Sequence, residues 1–170
     1  MDEIFIRPVE REDVHALLTF INVLSKEQTY IRLQGEELSL DDEILYIDDF
    51  LRKVQNHKAM KLLAFHKNEL VGVADIYLKD KIESHIGVFG LTIKKEWRGK
   101  GIGRILMEKT MNEASNSIDG LKIIELGVFA NNSVAKKLYE KMGFKEYGVL
   151  PRGISHKGAY VDHIYMYKEV

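Results

Sequence analysis

Residues 96–109, EWRGKGIGRILMEK, constrain this chain more than any other stretch, because glycine recurs at alternate positions 99, 101 and 103 among basic side chains. A β-rich run, HIGVFGLTI, precedes them, and Ile102, Ile105, Leu106, Thr110 and Ala114 follow at helical steps of three and four. A strand must therefore pass into a helix across a backbone almost free of side chains. The first N–H groups of such a helix have no internal partner and point outward. Glycines at alternate positions remove the Cβ atoms that would hold a ligand off, and Arg98, Lys100 and Arg104 add charged donors beside the positive helix end. A pyrophosphate suits this site. Two nucleotide templates fail: Lys100 is followed by Gly101 rather than by Ser or Thr, and the third glycine of GxGxxG would fall on Arg104. From spacing alone, a tight connection with solvated basic residues fits as well.

The remaining pattern predicts one α/β (α+β) domain over residues 1–170 with a mixed sheet. Ile4 and Ile6 alternate with Phe5 and Arg7 as in a short strand, and Val14, Leu17, Leu18, Ile21 and Leu24 make a helical face. Ser39 with Asp42 three residues on reads as the start of a second helix carrying Ile44, Ile47, Leu51 and Val54. KLLAFHKNELVGVADIYL reads as a hairpin with a four-residue connection over His66 to Glu69. Gly87 and Gly90 interrupt the next strand, as a bulge, a close backbone approach or relief of core crowding. LKIIELGVF alternates as a strand; NNSVAKKLYEKMGF is a helix stopped by Gly143; AYVDHIYMYKEV closes the chain as a strand. The expected order is β, α, α, β, β, β, α, β, α, β.

Charge narrows the partners. With 25 basic and 26 acidic residues the net charge is −1, which gives no global field for nucleic acid or an anionic membrane surface. The absence of cysteine excludes disulfides and thiolate metal sites, and with the charged start Met1, Asp2, Glu3 it argues for a cytoplasmic setting. No metal is expected. The longest weakly polar runs fall short of the roughly 18 residues needed to span a membrane as a helix.

RGKGIG, between a strand and a helix, resembles the acetyl-CoA pyrophosphate loop of GNAT-type N-acetyltransferases: Gln or Arg, two residues, Gly, one residue, Gly or Ala. Arg98, Gly101 and Gly103 satisfy it. NNSVAKKLYEKMGF is similar to that family's downstream segment at Asn132, Ala135, Leu138, Tyr139, Gly143 and Phe144. The likeness covers nearly the whole chain. It implies a mixed, mostly antiparallel sheet of about six to seven strands flanked by about four helices, with a splayed parallel strand pair at residues 88–93 and 123–129. It implies acetyl-CoA as cofactor, with its pantetheine paired along Leu91, Thr92 and Ile93. Its pyrophosphate would lie on Arg98, Gly99, Lys100, Gly101, Ile102, Gly103 and Arg104. Asn132, a natural N-cap, would also hydrogen-bond the pantetheine arm.

For the chemistry, the resemblance puts Tyr139 at the general-acid position. A departing thiolate has a conjugate acid of pKa about 8.5, and an ordinary tyrosine of pKa about 10 is protonated at neutral pH and able to donate. An ordinary core tyrosine is the alternative. Neutralising a lysine-like amine of pKa about 10.4 at pH 7 costs roughly 4 to 5 kcal/mol, so the amine proton needs a destination. Many relatives place a carboxylate on the bulged strand, whereas this chain has Val88 and Phe89 there. Glu125 is the expected base, with Asp75 and His85 as alternatives, each also readable as a solvated side chain. Gly158, Tyr160, Asp162 and Met166 resemble the closing hairpin of members that acetylate small amines or amino acids, and residues 25–37 are expected to cover the site. The reading is N-acetyl transfer to the primary amine of a small molecule, directly within a ternary complex, since no cysteine can carry the acetyl group. A noncatalytic acyl-CoA-sensing module and a protein N-terminal acetyltransferase are the alternatives. Dimers are common in that family, which leaves a homodimer open.

Overall fold

Seven strands form a single sheet in the computed structural model, which describes residues 4–170. The charged start Met1, Asp2, Glu3 lies outside the described residues. In chain order the elements are β1 (Ile4–Pro8), α1 (Val14–Glu27), α2 (Leu40–Gln55), β2 (Ala59–His66), β3 (Glu69–Leu78), β4 (Ile86–Ile93), α3 (Ile102–Ser117), β5 (Ile123–Phe129), α4 (Ser133–Lys141), β6 (Lys145–His156) and β7 (Ala159–Glu169). The sheet order is β1-β2-β3-β4-β5-β7-β6. Every neighbouring pair is antiparallel except β4 and β5. The expected mixed sheet, four helices and splayed parallel pair are all present.

Period-two alternation on β2 builds both layers. Leu62 and Ala64 pack toward α3 with Leu106, Met107 and Ile124. Leu63 and Phe65 pack toward α1 and α2 with Leu17, Phe20, Leu24 and Ile47. Each buried Leu, Ile, Met or Phe among them contributes roughly 1.5 to 3 kcal/mol of hydrophobic stabilisation. Two helix ends match the sequence reading. Ser39 Oγ accepts from the Asp42 N–H at 3.2 Å while the Ser39 N–H donates to the Asp42 carboxylate at 3.1 Å. Gly143, at φ 88°, ends α4 in the left-handed region that favours glycine, with the Phe144 N–H returning to the Tyr139 carbonyl at 3.0 Å.

Three expectations need correction. The β2–β3 hairpin turns through Lys67 and Asn68 alone, with Lys67 at φ 54°, so the connection is two residues rather than four. Its ladder carries a bulge on β3, where Val71 has no opposite number between the pairs Ala64–Gly72 and Phe65–Leu70. In β4 no bulge appears, because its register with β3 runs unbroken from Gly72–Ile93 to Leu78–Gly87. Gly87 instead relieves crowding: a Cβ there would stand 2.7 Å from Ile76 and 2.8 Å from Leu121. Finally, β6 adds a strand before the closing one. Most of its side chains are exposed and its register with β7 shifts twice, so it carries little alternation to read.

Candidate active site

Pairing between β4 and β5 stops at Val88–Glu125, after three residue pairs. Beyond that point the strands diverge, and a cleft of about 730 Å³ opens between Leu91, Thr92 and Ile93 on one side and Gly127, Val128 and Phe129 on the other. That volume lies within the range of small-molecule sites. The loop before α3 and the first turns of α4 close its ends, and Thr29, Tyr30 and Ile31, between α1 and α2, form its cover. Tyr30 is tied down by its hydroxyl, which donates to the Asn131 carbonyl at 3.2 Å, and by an edge-on contact with Phe129.

At the loop, Gly99 and Gly101 hold φ values of 75° and 82°, and Gly101 is the N-cap of α3. Gly101 has no side chain with which to cap the helix. Among the described residues, the N–H groups of residues 99–104 find no acceptor. A row of free backbone donors beside a positive helix end suits an anion such as a pyrophosphate. The basic side chains behave differently from the sequence expectation. Arg98 donates from both terminal nitrogens to the Glu27 carboxylate, one of these at 3.0 Å, and from Nε to the Ile93 carbonyl at 2.9 Å. It therefore ties the loop to α1 and β4. Arg104 pairs with Glu108 at 2.8 Å, and the Lys100 ammonium sits 4.5 Å from the centre of the Trp97 ring.

Tyr139 comes from the last turn of α4 into the same cleft and is 8% exposed. Phe89 meets its ring edge-on at 6.3 Å, and Phe144 lies 6.2 Å away. Phe89 thus fills a position where a carboxylate was sought, and it is one wall of an apolar seat for the phenol. Burial pushes the Tyr139 pKa up to about 12, since low dielectric penalises the phenolate. The phenol is held in its donating form. Asn132 caps α4 through Oδ1, which accepts from the Ala135 N–H at 3.2 Å, leaving its amide nitrogen at the cleft wall.

Leu91, Thr92, Ile93, Arg98, Gly99, Gly101, Gly103, Arg104, Asn132 and Tyr139 are thus brought together. The side chains of five other sequence candidates are not, although the N–H groups of Lys100 and Ile102 remain among the free donors of the loop. The Ile102 side chain is buried in the core under α3, and Lys100 turns onto Trp97. Glu125, the expected base, lies where β4 and β5 are still paired, outside the cleft; it is ion-paired with Lys79 at 2.6 Å and takes a long bond from the Tyr147 hydroxyl at 3.4 Å. His85 is exposed and also outside the cleft. Asp75 sits opposite Gly90, so that a Cβ at Gly90 would stand 3.1 Å from Asp75 Oδ1.

Tyr30 and Phe129 lie in the segments 25–37 and 123–129 that were expected at the site, whereas sequence reasoning missed Trp97 and Asn131 in the cleft and Glu27 as the partner of Arg98. Their partners lie far away in the chain, so no local spacing announces them. It also missed His163, whose imidazole occupies the space a Cβ at Gly127 would fill; burial lowers its pKa and favours the neutral ring. Among the described residues no group of three or more His, Asp or Glu side chains is placed to hold a metal ion. Among the described residues no helix is long and apolar enough to cross a membrane.

Residues 21–144 match the model of the Acetyltransferase (GNAT) family. The chain belongs to this family. It is 27% identical over 170 residues to an L-amino acid N-acetyltransferase, AaaT, of Escherichia coli (strain K12), with 98% of each chain covered. A GNAT-family acetyltransferase structure from Streptococcus pneumoniae superposes with a TM-score of 0.89 at 27% identity, over 99% of this chain and 100% of that one. The structure of yncA from Salmonella typhimurium with its cofactor acetyl-CoA shares the fold at a TM-score of 0.84 and 17% identity, over 98% and 93% of the two chains. This GNAT protein is an acetyl-CoA-dependent N-acetyltransferase. Its free N–H groups at residues 99–104 and its splayed strands fit that cofactor.

Proposed function

We propose that the protein acetylates the primary amine of a small molecule by direct attack within a ternary complex, with Tyr139 as general acid. The observation that carries this reading is a buried phenol in the same cleft as the free donors of residues 99–104. The full-length likeness to an enzyme named for L-amino acids supports a small acceptor. Thr29, Tyr30 and Ile31 at the cleft are consistent with a small acceptor.

Bound acetyl-CoA supplies an acetyl thioester. The N–H groups of residues 99–104 would hold its pyrophosphate, and Asn132 would meet its pantetheine arm. Leu91, Thr92 and Ile93 would present backbone groups to that arm, because beyond Val88 this edge of β4 has lost its partner β5. Tyr139 donates its phenolic proton to the departing sulfur. Its high pKa suits this role because an anion formed against the same apolar wall is also made more basic by desolvation. The proton lost by the amine passes to water; Asp75, opposite Gly90, is ion-paired with Lys61 and is not assigned as base. Glu125 is dropped as base, since Lys79 engages it outside the cleft.

The test is thiol release from acetyl-CoA in the presence of a panel of small amines and amino acids. Release above background with at least one amine is expected. Binding of acetyl-CoA with no amine-dependent release would leave the noncatalytic sensing role instead.

A further inference from the structure

A second cavity, of about 440 Å³, lies on the other face of β4 between the sheet and the helices α1 and α2. Ile31, Leu91 and Thr92 line both it and the cofactor cleft, so the two adjoin along β4 beyond the point where its pairing with β5 stops at Val88. Its polar wall consists of Asp42, Glu43, Tyr46, Lys61 and Asp75, and the Asp42 carboxylate is already bonded to the N–H and hydroxyl of Ser39. Lys61, with a side chain 3% exposed, is already engaged: its ammonium lies 3.2 Å from Asp75, donates to the Tyr46 hydroxyl at 2.8 Å and sits 4.2 Å from the centre of the Phe50 ring. Glu43 is different. It is 4% exposed, and among the described residues its carboxyl makes no hydrogen bond and no ion pair; Lys61 acts on it only at longer range. Burial holds its pKa above the ordinary value for that reason.

A buried polar group without a partner is costly, and one lining a cavity beside a reaction centre is most simply satisfied by what enters the cavity. Lys61 and Asp75 neutralise each other, which leaves the wall with spare acceptor capacity and no spare cation. An acceptor bearing a carboxylate would find nothing to pair with it. One bearing a second ammonium would pair with Glu43.

Resting on the acetyl-transfer reading above, we propose that this cavity is the acceptor pocket and that it selects a short aliphatic diamine, with Glu43 binding the ammonium distal to the amine that is acetylated. The neutral amine reaches the thioester past Ile31, Leu91 and Thr92 while its other end stays charged against Glu43. Aromatic Tyr46 and Phe20 line the aliphatic path between them.

Calorimetric titration of 1,4-diaminobutane, 1-aminobutane and L-alanine into the protein with coenzyme A present tests this without requiring turnover. The diamine is expected to bind at least about tenfold more tightly than the monoamine, as one charge-assisted hydrogen bond would give. Glu43→Gln is expected to remove that advantage while leaving coenzyme A affinity and the thermal unfolding midpoint close to wild type. Equal affinity for diamine and monoamine in the unaltered protein overturns the proposal, as does tight diamine binding by Glu43→Gln or a preference for L-alanine. If no amine is acetylated while the diamine still binds through Glu43, the transfer reading fails and the pocket assignment stands. If amines are acetylated with no diamine preference, the reverse holds.

Discussion

Tyr139 and Gly101 carry the sharpest single-residue expectations. Tyr139→Phe keeps the ring between Phe89 and Phe144 and removes only the donor, so the fold and coenzyme A affinity should hold while kcat falls about a hundredfold or more, the usual range for losing a general acid. Since burial raises the phenol pKa to about 12, its acid form persists at pH values where an ordinary tyrosine, at about 10, would already ionise. A pH–kcat profile should therefore show no alkaline loss near pH 10 that disappears in Tyr139→Phe; finding one would mean that the phenol is solvated. Gly101→Val acts through space rather than packing. A Cβ there meets no atom within 4 Å, so the side chain would stand in the volume where the anion belongs. At φ 82° it also costs about 1 to 2 kcal/mol of backbone strain. Coenzyme A binding should be lost in a titration while the circular dichroism spectrum stays native.

At the scale of elements, local sequence was readable wherever burial imposed a period. The capping box at Ser39 and Asp42, the glycine stop at Gly143 and the strand-to-helix passage at residues 99–104 follow from bonds made within a few residues, and all three are in the structure. β6 was missed as a separate strand because an exposed edge leaves no face to alternate. The bulge fell on Val71 rather than on Gly90 because a glycine in a strand can relieve crowding as well as mark a bulge, and only the packed neighbours decide which. Within the sheet, Asp75→Asn would strip the β2 side chain Lys61 of its countercharge. Lys61 is almost fully buried, and leaving such a charge unpaired costs about 3 kcal/mol or more. Urea denaturation should report a loss of that order, and a loss below about 1 kcal/mol would mean that Lys61 finds water.

Across the whole molecule, the cofactor loop depends on a helix 71 residues away. Arg98, which resembled a phosphate donor in sequence, is held by Glu27 at the end of α1 and by the Ile93 carbonyl, so it positions the loop. Glu27→Gln keeps the shape but weakens this clamp. Coenzyme A affinity should fall several-fold, with little change in kcat at saturating cofactor; an unchanged dissociation constant would make the Arg98–Glu27 pair incidental. The same long-range arrangement creates the proposed acceptor side. Glu43, Lys61 and Asp75 are scattered over 33 positions of sequence and meet only because α2 lies across β2 and β3. By itself the sequence determined the loop and its helix, which are set by short-range spacing and by backbone geometry that glycine alone permits, while the roles expected of Asn132 and Tyr139 came from the family resemblance. The tertiary structure decided which charges were already spent on one another and which carboxylate was left without a partner, because ion pairing depends on distance in space and leaves no period in the chain.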